Sequence, residues 1–291
     1  MKYVVSLFTI LLFSCQQYGG LQQASEHLEL DDDFKNYWFD GTAELSSFQL
    51  KQSRYGEPRT GTAVLIYVTE DFLADQQVKA NQKSNSTNLV LKLNRNKNFT
   101  TGIYPYSIMN SSFTKLKQAT PLVKITTSIQ EWCGQTYFQL NRKNNLKIVG
   151  HSYFEGEGDQ SVSLKDALTE DELWHWIRTQ PERLPTGEIE LLPAFEFIRL
   201  KHQPLGLASA VATLETLADQ YIYHLTYPDF ARKLSITFEK EAPHKILAWT
   251  EENLKDPSET TSAIRIKTLK LPYWKLNHLG DERFRDSLGL N

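Results

Sequence analysis

Two-residue alternation of apolar side chains recurs along this chain and constrains its fold more than any other feature. Leu89, Leu91 and Leu93 alternate with Val90, Lys92 and Asn94, and Leu234, Ile236 and Phe238 alternate with Lys233, Ser235 and Thr237. Successive side chains of a strand point to opposite sides, so period two marks segments with one packed face and one wet face. Similar segments run from Glu44 to Gln52, Thr62 to Thr69, Thr101 to Phe113, Val123 to Trp132, Gln135 to Asn141, Leu146 to Glu155, Glu188 to Leu200, Tyr221 to Tyr227 and Ile264 to Leu271. Between them sits turn chemistry: Tyr55-Gly56-Glu57-Pro58, Arg95-Asn96-Lys97-Asn98, Asn144-Asn145 and Pro228-Asp229. The expected class is therefore mainly β, with antiparallel sheets forming a sandwich or an open half-barrel. One helix, near residues 169–179, stands out. Thr169 and Glu172 form a capping box, Leu173, Trp176 and Ile177 an apolar stripe, and Pro181 follows the end. It is expected to cover one mouth or edge of the sheet.

Residues 31–291 supply about 260 positions for the folded part, enough for one large β domain or two smaller ones with ample core. Pro185, Thr186 and Gly187 after the helix suggest a division into two sheet halves near 160–186. The charge balance, 32 Lys and Arg against 35 Asp and Glu, shows no basic stripe of the kind that grips nucleic acid, so no nucleic-acid partner is expected.

At the N-terminus Lys2 precedes an apolar run from Tyr3 to Phe13, too short to span a bilayer, that ends in Ser14 and Cys15. A charged start, a short apolar core and a small residue before the cut describe a secretory signal over residues 1–14. The ending Leu12-Phe13-Ser14-Cys15 resembles the lipobox of bacterial lipoproteins, which implies lipidation of Cys15 and anchoring to the inner or outer membrane, because paired acyl chains hold durably. Residues 15–30 then read as a solvated tether, and the run Asp31-Asp32-Asp33 as the helix-capping start of the folded domain. That run lacks the spaced oxygen ligands of a calcium loop. With Cys15 acylated, Cys133 is left without a disulfide partner, so the core must hold the fold.

Two places offer candidate chemistry. Cys133, in Glu131-Trp132-Cys133-Gly134, is a candidate nucleophile, with His151 the nearest histidine in sequence. If Asn144 and Asn145 form a two-residue turn, Phe138 pairs with His151, and Cys133 and His151 face opposite sides of the sheet. Free cysteine is also among the most buried residue types, and a buried structural Cys133 is the plainer expectation. The second place is the alternation His151, Tyr153, Glu155, Glu157, Asp159, which puts an imidazole and carboxylates on one strand face as a candidate ligand site. Residues spaced by two lie about 7 Å apart, too far to share one metal ion readily, and a solvated face is the competing interpretation. No metal site or cofactor is expected. His175, between Trp174 and Trp176, is expected to pack half exposed. Aromatic groups such as Tyr37-Trp38-Phe39, Tyr104-Pro105-Tyr106 and Tyr273-Trp274 would bind sugars or apolar ligands if exposed, and fill the core if buried.

The stretches Ser53-Arg54-Tyr55-Gly56-Glu57, Gly61 to Ile66, Thr101 to Ser107 and Gln130 to Gly134 are similar to those of an uncharacterised family of Bacteroidetes lipoproteins. Some members carry the label septum formation inhibitor Maf. True Maf proteins are cytoplasmic nucleotide pyrophosphatases with an N-terminal Ser-Pro-Arg-Arg type motif, which is absent here, so the resemblance implies export and provenance and transfers no catalytic residue. The expectation is a lipid-anchored envelope protein that binds or scaffolds, with an apolar molecule or glycan as ligand. The rival is an envelope enzyme using Cys133 or the His151, Glu155 and Glu157 face.

Overall fold

Sixteen strands join in a single sheet in the computed structural model, which describes residues 30–116 and 122–290. Asp31 opens the domain as expected: its carboxylate accepts from the Phe34 amide at 2.7 Å and caps α1 (Asp32–Trp38). The first arm of the sheet follows as β1 (Ala43–Arg54), β2 (Glu57–Leu73), the short β3 (Val78–Lys79), β4 (Asn88–Thr101), β5 (Tyr104–Lys115), β6 (Leu122–Glu131), β7 (Gly134–Arg142), β8 (Asn145–Ser152) and β9 (Gln160–Lys165). After β10 (Leu168–Thr169), α2 (Glu170–Thr179), β11 (Gly187–Leu192) and α3 (Phe195–Leu200), the second arm runs through β12 (Ala208–Thr216), β13 (Gln220–Tyr227), β14 (Arg232–Glu239), β15 (Ile246–Asn253) and β16 (Thr261–Leu271). A last helix, α4 (Arg283–Ser287), lies near the C-terminus.

The strand order is β10-β11-β12-β13-β14-β15-β16-β1-β2-β4-β5-β6-β7-β8-β9, with β3 hydrogen-bonded to β2. Neighbours are antiparallel except β10 and β11. The sheet is open between β9 and β10, so the mainly antiparallel, open architecture read from the alternation holds. Among the described residues no helix is long and apolar enough to cross a membrane.

The helix α2 has the capping box the sequence announces, with Thr169 Oγ1 accepting from the Glu172 amide at 3.3 Å and Glu172 Oε2 accepting from the Thr169 amide at 2.8 Å. Its place differs from the expectation: it lies within the concave side of the sheet instead of over a mouth or edge. Tyr67 on β2 donates to the Trp174 carbonyl at 3.0 Å, Ser112 on β5 meets His175 Nε2 at 2.8 Å, and Trp249 on β15 packs edge-on against Trp174. Strands of both arms therefore touch one helix. His175 is fully buried, not half exposed, because it sits on this enclosed side.

Burial of a helix whose first turn reads Glu170, Asp171, Glu172 would be ruinous without partners, since an uncompensated buried charge costs several kcal/mol. Each carboxylate meets an arginine from a different strand. Arg232 on β14 grips both oxygens of Glu170 at 2.5 and 2.9 Å, Arg95 on β4 reaches Asp171 at 2.6 Å, and Arg142 on β7 reaches Glu172 at 2.7 Å. At the other end of the helix Arg178 pairs with Glu44 on β1. The ion pairs fix both the depth and the rotation of α2 inside the sheet.

This explains two departures from the sequence reading. Arg95-Asn96-Lys97-Asn98 is no turn but the middle of β4, where Arg95 and Lys97 point inward to Asp171 and Glu196. The segment Glu188 to Leu200 is not one strand: Pro193 follows β11, and Phe195 to Leu200 form α3, packed over the core of Phe138, Leu140 and Ile148. A second apolar layer lies outside the sheet, where Leu288 and Leu290 cover Ala43, Leu45 and Val68.

Candidate functional site

The antiparallel register sends the turns after β1, β4, β6, β8, β13 and β15 to one rim, because Arg54 pairs with Glu57, Thr101 with Tyr104 and Glu131 with Gly134 while Lys51 pairs with Ser262 and Arg232 with Asn253. The N-terminal helix enters at the opposite end, beside Ala43 and Tyr67. At the β1–β2 tip Tyr55 and Gly56 have φ of 59° and 73°, the pair of left-handed residues a tight hairpin demands. Several tips carry a large exposed apolar side chain: Tyr55, Ile103 at 83%, Trp132 at 68% and Tyr153 at 77% exposure. Tyr104 stacks on Trp132 with ring centroids 6.4 Å apart, and Arg54 lies over the Tyr55 ring.

Cys133 is exposed at the β6–β7 tip and is not a core residue, since the turn lifts it off the sheet. Its amide donates to Glu131 Oε2 at 2.8 Å, and the same carboxylate, through a hydrogen bond to the sulfur and by its charge, holds the thiol above its ordinary value. A nucleophilic cysteine needs the reverse, a nearby cation or helix N-terminus that favours thiolate.

The register around the β7–β8 turn also differs. Arg142, not Lys143, pairs with Leu146, so Tyr137 rather than Phe138 opposes His151. That one-residue shift moves His151 to the other side of the expected pairing and brings it to the same outer depression as Cys133, ≈470 Å³ in volume, with Tyr137, Tyr153 and Asp159. The imidazole Nδ1 is 3.2 Å from Asp159, while the charged neighbour of the thiol is Glu131. Proximity exists, but the electrostatics that would make a nucleophile do not.

The His151, Glu155 and Glu157 face does not form. β8 ends at Ser152, and the turn that follows points Glu157 away to Ser152 Oγ at 2.8 Å, His202 at 3.2 Å and Arg199 at 3.2 Å, tying the β8–β9 tip to α3. Glu155 is exposed. Among the described residues no group of three or more His, Cys, Asp and Glu could hold a metal ion. Cys15 and the tether up to residue 29 lie outside the described residues.

Two further concavities lie at the rim. One, ≈240 Å³, is set between α3 and the tips of β13–β14 and β15–β16, with Phe197, Leu200 and Phe230 beside Glu196, Arg232 and Glu251. Burial works against ionisation of Glu251, yet Arg232 and Lys97 overcome it and draw its carboxyl down to about 2, so the charges at the floor stay paired. The other is an open depression of ≈520 Å³ on the outer face, walled by Trp132 and lined by Asn98, Thr100, Ser107 and Gln130. The sequence had offered Tyr104 and its neighbours as rings of unknown exposure; it did not single out Trp132, whose place at a turn between two alternating segments was the available signal.

No family model matches the chain, and no curated protein matches it. Among solved structures, a β-barrel-like protein of the domain of unknown function DUF1849 from Brucella abortus is similar at 8% identity and a TM-score of 0.47, over 78% of this chain and 97% of that one.

Proposed function

We propose that this is a lipid-anchored protein of the bacterial cell envelope that binds or scaffolds through its outer surface and rim, and does not carry an apolar cargo inside the sheet. The anchor rests on Leu12-Phe13-Ser14-Cys15, and the exclusion of an internal cargo on the filled interior: α2, its ion pairs and Trp174 occupy the space in which a half-barrel carrier would keep its ligand. The ≈240 Å³ cavity left at the rim is smaller than the roughly 300–1,000 Å³ of ordinary ligand pockets and is floored by charge, both unsuited to an acyl chain. Polarity fits the same reading. The chain enters at the α1 end, so a tether from Cys15, up to roughly 3.3 Å per residue when extended, would present the rim with Tyr55, Ile103, Trp132 and Tyr153 away from the anchoring membrane.

The test is mass spectrometry of detergent-extracted protein together with membrane fractionation of the Cys15→Ser variant. A diacylglyceryl group on an N-terminal Cys15, and release of the variant from membranes, are expected. An unmodified Cys15 would overturn the anchor.

A further inference from the structure

We propose that the outer face of β2 and β4 to β7 next to the rim binds an extended, uncharged polysaccharide, a ligand class that rests on the envelope binding role above. The strand register supplies the argument. Thr62 pairs with Asn98, Asn98 with Ser107, Ser107 with Gln130, and Gln130 with Gln135, so five adjacent strands set five uncharged hydrogen-bonding side chains in one row. These side chains point outward, because their neighbours Ala63, Phe99, Ile108, Ile129 and Thr136 are buried. Neighbouring strands lie about 4.8 Å apart, so the row runs for roughly 20 Å. That step is close to the length of one pyranose unit, and successive sugars of an extended chain can meet successive strands.

One row further from the rim, Asn96, Met109, Ser128 and Tyr137 are again register neighbours and again uncharged. In a chain of which 23% is charged, two consecutive rows without a charge are a distinct surface. The rows combine what a neutral sugar offers on its two sides: hydroxyls and amides to exchange hydrogen bonds with its hydroxyls, and Met109, Tyr137 and Trp132 to receive its C–H faces. Trp132 stands at the rim end, backed by Tyr104, and the depressions on either side share Gln130.

Other occupants fit less well. A peptide adds to a sheet at an edge, and this is a face between paired strands. An anionic bilayer attracts clustered free cations, whereas Arg59 at the flanking β1–β2 tip is paired with Glu57, Arg54 lies over the Tyr55 ring, and the other flanking tips carry Glu131 and Asp159.

The experiment is affinity electrophoresis of the full-length, detergent-solubilised protein in native gels containing hydroxyethylcellulose, dextran or galactomannan, with alginate as a polyanionic control. Retardation is expected in at least one neutral gel and not in alginate, with little change on raising the salt. Trp132→Ala, and separately the Asn98→Ala, Gln130→Ala double variant, should weaken that retardation about 3- to 10-fold at unchanged Tm, the loss expected for one stacked ring or a pair of exposed hydrogen bonds. No retardation in any of the three neutral gels, retardation in alginate, full retention by both variants, or flotation with anionic vesicles in place of glycan binding would each overturn the proposal. Acylation of Cys15, read on the same preparation, separates the two ideas: an acylated protein that ignores glycans sinks the ligand alone, and a glycan-binding protein with free Cys15 sinks the anchor alone.

Discussion

Arg178 and Glu44 meet as a two-pronged pair in the enclosed interior, Nη1 to Oε1 and Nη2 to Oε2 both at 2.6 Å, with each side chain 1% exposed. The guanidinium also lies 4.6 Å from the Tyr67 ring centre and 5.0 Å from that of Trp38, so helix, first strand and α1 share one contact. Burial opposes ionisation of Glu44, and Arg178 more than offsets it, holding the carboxyl below its usual range.

Removing one member should strand the other. Arg178→Met or Glu44→Leu alone is expected to cost roughly 3–5 kcal/mol, and the double replacement considerably less than the sum, because an unpaired buried charge is worse than none. Urea denaturation of the two single variants and the double variant measures this; equal, additive losses would show the pair is not coupled.

His175 should make stability acid-sensitive. Burial, with Arg95 and Arg178 adding repulsion, pulls the imidazole down to about 3, so it stays neutral in the fold while the unfolded chain takes a proton below about 6.5. Between those values the unfolded state binds more protons, and stability falls as pH drops through the window. Asp171 acts in the opposite sense: burial lifts its carboxyl to about 6 despite Arg95, so below pH 6 the native state takes up a proton as well and the two contributions largely cancel. His175→Gln, with Ser112 still available as a partner, removes the first contribution, so in thermal unfolding the variant should gain stability relative to the parent chain as pH falls from 6 to 4; a difference that does not change with pH would place the acid sensitivity elsewhere.

Cys133 should react sluggishly. With Glu131 holding the thiol up, alkylation by iodoacetamide at pH 7 is expected to be slower than for a free cysteine peptide, and Glu131→Gln should accelerate it. Cys133→Ser, at an exposed tip, should shift stability by no more than about 0.5 kcal/mol. A thiol faster than the peptide would revive the nucleophile.

Gly61 is required by a close approach. A Cβ built there would lie 2.2 Å from the Asn98 carbonyl oxygen and 2.7 Å from the Phe99 Cβ, both on the paired strand and unable to yield cheaply. Gly61→Ala is expected to destabilise by about 1–3 kcal/mol, whereas alanine at Gly156, where nothing lies within 4 Å, should be nearly silent. Thermal unfolding of the two variants decides it.

Legibility in the sequence followed how strongly each local signal could be overruled from a distance. The Asp31 cap and the Thr169–Glu172 capping box are complete within a few residues, and both were readable. Arg95 and Lys97 looked like a turn because charge usually marks solvent; their partners Asp171 and Glu196 lie 76 and 99 residues away. β12 gives only a weak alternation signal of its own because its inward positions are Ala208, Ala210 and Ala212, all small. The Cys133 and His151 relationship turned on a single residue of register at the β7–β8 turn, a quantity that Lys143, Asn144 and Asn145 do not specify by composition.

The pairing of β16 with β1 orders events in time. β1, the first strand made, takes its second neighbour only when Thr261 to Leu271, more than two hundred residues later, have been synthesised and have paired with it from Ala43 to Lys51. Until then one edge of β1 is bare, and contacts of such separation are slow to form. A chain built this way leaves one edge of its earliest strand unpaired until its latest strand has been made, so its sheet is completed last.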